Sequence, residues 1–134
     1  AKIKAVKKEQ KLYFWDWAQV SDPGARFENL VASHLLKYCH FIEDTEGYEM
    51  EVRFIRNFEL KEIDFVVLKN KKAIFAVECK SGERNLSRHI EYFKERLAIP
   101  KVYQVHLGKK DFGNEATSGR VLPFVTFCKE LHLV

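Results

Sequence analysis

Hydrophobic residues recur at two different spacings along the chain, and each spacing predicts a different secondary-structure element. Between residues 21 and 41 the spacing is helical, and one apolar face contains Phe27, Leu30, Val31, Leu35 and Tyr38. Ser21 or Asp22 can cap this helix, and Pro23 suits its first turn. Glu28 lies on the flank of the apolar face, which predicts a position at the edge of the core.

Strand patterns occupy the middle of the chain, after a turn that is predicted at EDTEG. Residues 48–54 alternate apolar and charged side chains, which is typical of a half-buried strand. Two further strands, at about 62–68 and 73–80, are apolar almost throughout. We therefore expect these two strands to be central and covered on both faces.

The last third of the chain contains a further helix and strand, and the order of elements predicts the fold class. The helix is predicted between Ser87 and Leu97, and the strand in KVYQVHL. The stretch GKKDFGNEATSG is predicted to be a loop, and a closing helix is predicted to begin near Pro123. The order helix, three strands, helix, strand, helix predicts an α/β fold with a mixed central sheet flanked by helices.

Length and composition predict one packed domain. The chain has 134 residues, of which 46% are hydrophobic, enough for a single core. Residues 1–11 are rich in lysine, and we interpret them as a basic tail or linker rather than as a nucleic-acid-binding arm. Residues 12–134 then form the domain. The chain opens at Ala1 and its single methionine is Met50, which suggests a fragment of a longer protein.

Charge and cysteine content narrow the partners and the location. The formal charge of +4 permits a polyanionic partner without requiring one. The three cysteines are far apart and lack any CxxC or Cys/His ligand spacing, which argues against a disulfide framework and a structural zinc site. A reducing, cytoplasmic setting fits best. No apolar run is long enough to span a bilayer, so no membrane partner is expected.

The two central strands carry carboxylates, which strand interiors usually exclude. If Asp64 lies opposite Glu78 in an antiparallel hairpin, the connection is a three-residue loop of Asn70, Lys71 and Lys72. A two-residue loop would shift the register by one and send the two carboxylates to opposite faces of the sheet. A shared site therefore requires an odd-length loop or a β-bulge.

In that register the two carboxylates would form a candidate metal site. Their β-carbons would lie roughly 5 Å apart, and the charges would repel each other unless a cation lay between them. Mg²⁺ or Mn²⁺ suits such a site, because these ions combine few carboxylates with water and phosphate oxygens. Lys80 would stand about 7 Å further along the same face, where it could contact a phosphate. Glu28 could supply a third carboxylate.

A plainer interpretation of these charges remains open. Glu62, Asp64, Glu78 and Lys80 all lie near strand ends, where charged side chains commonly form surface salt bridges. An E-x-K triplet occurs often by chance, and so does an isolated aspartate. Spacing and composition alone leave both interpretations standing.

The combination of these motifs resembles the PD-(D/E)XK nuclease superfamily: a helical glutamate, EID on one strand, ECK on the next, then a helix and a strand. The segments RFENLVASHLLK, KEIDFVV, FAVECKSG and VYQVHLG are most similar to nuclease-like C-terminal domains of archaeal and bacterial AAA-plus-type ATPases. The resemblance spans about residues 12–130 and implies a restriction-endonuclease-like αβββαβ core. It also implies that the parent protein has an ATPase domain. That domain would lie upstream, because this chain contains no Walker A pattern.

The resemblance implies a role for each motif residue. Asp64 and Glu78 would be metal ligands, with the carbonyl oxygen of Cys79 as an additional one. Glu28 matches the first-helix glutamate, which is a direct or water-mediated ligand. Lys80 matches the motif lysine, which assists the attacking water or stabilises the transition state.

Basic residues are candidates for contacts with nucleic acid. Arg84 and Arg88 follow the strand that carries Lys80, while Lys71 and Lys72 lie at the predicted hairpin turn. Solvated surface is the alternative for these positions, because acidic residues are interleaved with them. The histidines have no ligand spacing, and we interpret each as a packing or surface residue.

Three functions are compatible with these observations. The leading hypothesis is divalent-metal-dependent hydrolysis of DNA phosphodiester bonds by a domain of an ATPase. The second is a catalytically silent domain that binds nucleic acid or a protein partner and regulates that ATPase. The third is a purely structural or oligomerising module. Cleavage of DNA would support the first function, and salt-sensitive binding without cleavage would support the second. Neither cleavage nor binding would leave the third.

Overall fold

The computed structural model of the chain describes residues 2–5, 22–56 and 62–132. Three helices are present in this part of the chain: α1 (Pro23–Glu46), α2 (Arg88–Arg96) and α3 (Phe124–Glu130). The strands are β1 (Lys2–Ala5), β2 (Met50–Arg56), β3 (Glu62–Lys69), β4 (Lys72–Cys79), β5 (Val102–His106), β6 (Phe112–Asn114) and β7 (Gly119–Pro123). None of the helices in these ranges is both long and apolar enough to cross a membrane.

The strands form one mixed sheet in the order β1-β2-β3-β4-β5-β7-β6. Strands β1 to β4 pair antiparallel in succession, β5 pairs parallel with both β4 and β7, and β6 pairs antiparallel with β7. Because β4 and β5 are parallel, the chain must cross over between them, and α2 lies in that crossover. The predicted α/β fold with a mixed sheet is confirmed.

Each face of the sheet is covered by different helices. Side chains of α1 and α3 pack with Phe65 and Val77 on one face, whereas Ile90 and Phe93 of α2 pack with Ala76 on the other. Neighbouring residues of β4 thus point to opposite sides, as the pleat of a strand requires. The prediction that β3 and β4 are buried on both faces is confirmed.

Helix α1 begins where the sequence predicts and ends later. The Asp22 side chain caps it by accepting a hydrogen bond from the Gly24 N–H at 3.0 Å. At the other end Gly47 adopts a left-handed φ of 76°, a conformation that favours glycine. The helix therefore runs through most of EDTEG, and the predicted turn there is wrong. No glycine or proline lies between Gly24 and Gly47 to end the helix earlier. The Thr45 hydroxyl donates to the Phe41 carbonyl within the last turns.

The ends of the chain differ most from the prediction. Residues 2–5 pair with β2 at the sheet edge, so this part of the predicted tail is incorporated in the sheet, while residues 6–21 lie outside the described ranges. The loop predicted at GKKDFGNEATSG contains β6, whose three residues are all exposed and so lack any apolar alternation. The closing helix is confirmed, since α3 begins directly after Pro123.

Candidate active site

The hairpin of β3 and β4 turns through only two residues. Asn70 and Lys71 both have left-handed φ angles, 50° and 68°, as the twist of a two-residue hairpin requires. Asparagine tolerates this conformation well, and its side-chain oxygen also accepts a hydrogen bond from the Glu49 N–H at 3.0 Å. The predicted three-residue loop is therefore wrong.

A β-bulge restores the register that the short turn would otherwise have shifted. The pairing shifts between Val67 and Leu68, so that Ile74 of β4 has no residue opposite it. Beyond this point Phe65 pairs with Val77, and the next rung places Asp64 opposite Glu78. The bulge that the sequence allowed as an alternative is confirmed, and it puts both carboxylates on one face.

The carboxyl groups of Asp64 and Glu78 lie close enough together for each to shift the pKa of the other. Oδ2 of Asp64 also accepts the backbone N–H of Cys79 at 2.8 Å, which ties the end of β4 to β3. Glu78 is only 4% exposed. The sheet thus holds two acidic side chains together in a place with little solvent.

Burial sets the protonation of this pair. Removal from water raises the pKa of Asp64 well above its usual range, and the neighbouring Glu78 raises it further. Burial also raises the pKa of Glu78, which is opposed by its contact with Asp64 and by the charge of Lys80. Both shifts favour the protonated carboxyl group, so the pair resists holding two negative charges.

Lys80 continues the β4–β5 ladder and completes the polar group. Its backbone N–H donates to the Val105 carbonyl at 3.0 Å. Its half-buried ammonium lies close enough to lower the pKa of both Asp64 and Glu78. The predicted sharing of one face by Asp64 and Glu78 agrees with the structure, and Lys80, which directly follows β4, lies near both.

His89 belongs to the site although its sequence position predicted a packing or surface role. Its Nε2 lies 2.8 Å from Oε2 of Glu78. The available signal was its place in the first turn of α2, directly before the buried Ile90 and soon after Lys80. A ligand-spacing search could not reveal it, because its partner lies on a strand eleven residues earlier.

Glu28 and Cys79 occupy less direct positions. Glu28 extends from α1, on the opposite side of the sheet from α2, and its charge raises the pKa of both Glu78 and Cys79. Across residues 22–56 and 62–132, no group of three or more His, Cys, Asp or Glu side chains is arranged to hold a metal ion. Glu28 as a third ligand and the Cys79 carbonyl as an additional one remain predictions. The Cys79 side chain packs against the core on the α1 side.

The predicted nucleic-acid contacts divide into two groups. Arg84 and Arg88 are exposed and lie in and just after the loop that follows Lys80. Lys71 and Lys72 are also exposed, but Lys71 lies in the hairpin turn and Lys72 begins β4. Lys72 lies six positions before Glu78, which is about 20 Å along a strand. The structure therefore does not bring these two lysines together with the carboxylate pair.

Gln104 fixes the loop that joins Lys80 to α2. Its fully buried side chain accepts the Ser87 N–H at 3.1 Å and donates to the carbonyls of Arg84 and Asn85, both at 3.1 Å. One side chain on β5 thus holds three backbone groups of this loop, and with them the start of the helix that carries His89.

Replacing Gln104 with Leu should loosen this loop. We expect the free energy of unfolding to fall by about 1–3 kcal/mol, because three backbone groups lose a buried partner. Hydrogen exchange of the Ser87 amide should accelerate by more than that of Val105 in the neighbouring strand. Unchanged protection of the Ser87 amide would contradict the positioning role given to Gln104.

Comparison with known families places this site within a defined domain. A family model described as "Domain of unknown function (DUF4143)" matches residues 23–127. The chain belongs to the DUF4143 family. The DUF4143 match begins at the first residue of α1 and ends within α3, so it includes Asp64, Glu78, Lys80 and His89. No curated protein and no solved structure matches the chain. The description of DUF4143 assigns no activity to the family.

Proposed function

We propose that this chain is a divalent-metal-dependent DNA phosphodiesterase, built on a restriction-endonuclease-like core within a larger cytoplasmic ATPase. The observation that carries the proposal is the buried Asp64–Glu78 pair beside the Lys80 ammonium. Placing two acidic groups side by side away from water is unfavourable for folding. Side chains with strongly shifted pKa values cluster at functional sites, where neighbouring charges are used in catalysis or binding.

The donor set suits a hard divalent ion. Asp64 and Glu78 offer carboxylate oxygens on adjacent strands, and Mg²⁺ or Mn²⁺ commonly binds through one or two carboxylates while keeping several waters. Asp64 and Glu78 would hold the ion. When bound, a divalent cation supplies Lewis-acid chemistry that polarises a phosphate oxygen.

The surrounding residues have roles that follow from their contacts. The His89 ring holds the Glu78 carboxylate through its 2.8 Å hydrogen bond and so fixes which way the carboxylate faces. The Lys80 ammonium, close to both acids, would bind a phosphate oxygen and stabilise the charge that develops there. Arg84 and Arg88 are exposed at the same side of the fold and would contact neighbouring phosphates.

A second function, a catalytically silent domain that binds nucleic acid or a partner and regulates its ATPase, is favoured by one specific observation. The Glu78 carboxylate already has a partner within the protein, the His89 ring at 2.8 Å. A carboxylate satisfied in this way can help to hold the fold without catalysis, while the exposed Arg84 and Arg88 contact a ligand.

DNA digestion and binding separate the two functions. Plasmid and single-stranded DNA are incubated with the protein and Mg²⁺ or Mn²⁺, and binding is measured in parallel at two salt concentrations. Metal-dependent cleavage supports the phosphodiesterase. Binding that weakens steeply with salt, without cleavage, supports the silent domain. Absence of both overturns the phosphodiesterase and the nucleic-acid-binding form of the silent domain, and leaves a domain that binds a protein partner or a structural module.

A further inference from the structure

The loop after β5 holds an anion that the protein itself supplies. The backbone N–H groups of Lys109 and Lys110 both donate to Oε2 of Glu83, each at 2.6 Å. These two N–H groups lower the pKa of Glu83, so its carboxylate is ionised in this position. Successive backbone N–H groups that converge on one oxygen form a concavity that binds anions.

The concavity does not depend on Glu83 for its shape. His106, which is fully buried at the end of β5, accepts the Gly108 N–H through Nδ1 at 2.9 Å. Its Nε2 then carries the hydrogen and donates to the Lys110 carbonyl at 2.8 Å. A buried side chain therefore fixes residues 108–110, and the two N–H groups would stay aligned if Glu83 moved away.

Gly108 provides the space in which the anion sits. A Cβ atom at this position would lie 2.4 Å from Cγ, 2.6 Å from Cδ and 2.8 Å from Oε2 of Glu83. Gly108 is not among the glycines with a left-handed φ. The backbone at this position would therefore tolerate alanine, but the alanine Cβ would occupy the space in which the carboxylate of Glu83 lies.

The loop lies beside the candidate active site. Strands β4 and β5 are parallel, with Cys79 opposite Val105, so the loops that follow both strands leave the same edge of the sheet. Ligands of α/β sheets bind at the carboxyl ends of parallel strands. Glu83, Lys109 and Lys110 are all exposed at this edge.

We propose that the N–H groups of Lys109 and Lys110 form a binding site for a backbone phosphate of nucleic acid, which Glu83 occupies until the ligand displaces it. The assignment of the ligand to nucleic acid rests on the proposed function. Displacement releases an exposed carboxylate into water, where it is fully solvated. The arriving phosphate gains the two N–H groups and the positive field of the Lys109 and Lys110 ammonium groups.

Three variants isolate the site. Glu83→Ala empties it, and the double variant E83A/G108A has the same charge but fills it with a methyl group. Glu91→Ala removes an exposed carboxylate from α2 and controls for the change in net charge. Inorganic phosphate and a single-stranded DNA oligonucleotide serve as probes. Both are added in EDTA, so that no outcome depends on cleavage.

Inorganic phosphate should shift the Lys109 and Lys110 amide resonances of E83A saturably, and E83A/G108A should show no saturable shift. E83A should bind the oligonucleotide about tenfold more tightly than wild type, because the phosphate no longer competes with the Glu83 carboxylate. E91A and the double variant should stay within about twofold of wild type. Equal responses of E83A and E83A/G108A would overturn the site. Phosphate binding without a gain for DNA would overturn nucleic acid as its ligand. In the separate digestion with Mg²⁺ or Mn²⁺, a wild-type protein that binds but does not cleave DNA would overturn the phosphodiesterase and leave the binding results in EDTA intact.

Discussion

Replacing Asp64 with Asn should reduce metal-dependent DNA cleavage by about 10³-fold or more, and Lys80→Ala should cause a loss of at least about 10²-fold. The carboxamide that Asp64→Asn introduces can still accept the Cys79 N–H, so this hydrogen bond survives. What disappears is one carboxylate charge for the cation. Lys80→Ala removes the ammonium beside the pair and leaves both carboxylates in place.

Initial rates of plasmid nicking at saturating Mn²⁺ measure both effects. Asp44→Asn and Lys37→Ala, two exposed positions on α1, are the matched controls and should cleave at the wild-type rate. If Asp64→Asn retained more than a tenth of the wild-type activity while folded, the site would lie elsewhere. Equal loss in a control variant would point to unfolding, and an unchanged rate in every variant would point to a contaminating nuclease.

The same substitution should make the metal-free protein more stable. Because burial and Glu78 raise the pKa of Asp64, the native state holds a proton that the unfolded chain releases above about pH 4. The native state then binds more protons than the unfolded state, so stability falls as pH rises from that value through the raised pKa. A carboxamide carries no such titrating proton. We expect Asp64→Asn to gain about 1–3 kcal/mol at pH 7, the scale on which buried charge pairs are replaced by neutral groups.

Urea denaturation between pH 4 and pH 8 in EDTA tests this expectation. The difference in free energy of unfolding between the variant and wild type should be smallest near pH 4 and should grow with pH. Asp44→Asn should show no such trend. In a separate measurement without EDTA, Mn²⁺ should raise the free energy of unfolding of wild type in a concentration-dependent way and leave that of Asp64→Asn unchanged. A variant less stable than wild type at pH 7 would show that the ionised pair contributes to folding.

The sequence predicted the centre of the molecule better than its ends. Strands β3 and β4 could be predicted because both are apolar in their middle, and buried central strands require that composition. The shared face of Glu78 and Lys80 follows from the two-residue period of a strand. Helix α2 could be predicted from Ile90 and Phe93, which occupy one helical stripe.

Features that depend on tertiary contact could not be predicted in the same way. Strand β6 is fully exposed, so its residues carry no apolar signal, and only the pairing with β7 defines it. The partner of His89 lies in another element, and Gln104 holds a loop about twenty positions away. The bulge between Val67 and Leu68 has no glycine to mark it. Pairing energies across the sheet, rather than local preference, decide its position.

Whether Asp64 and Glu78 share a face depends on whether the number of residues between them, including the bulged Ile74, is odd or even. Every residue between the two carboxylates contributes one alternation of face, so one insertion or deletion in this stretch would rotate Glu78 toward the α1 core. Paired changes would return it to its original side. Length variation in this hairpin should therefore proceed in steps of two residues wherever the acidic pair is retained.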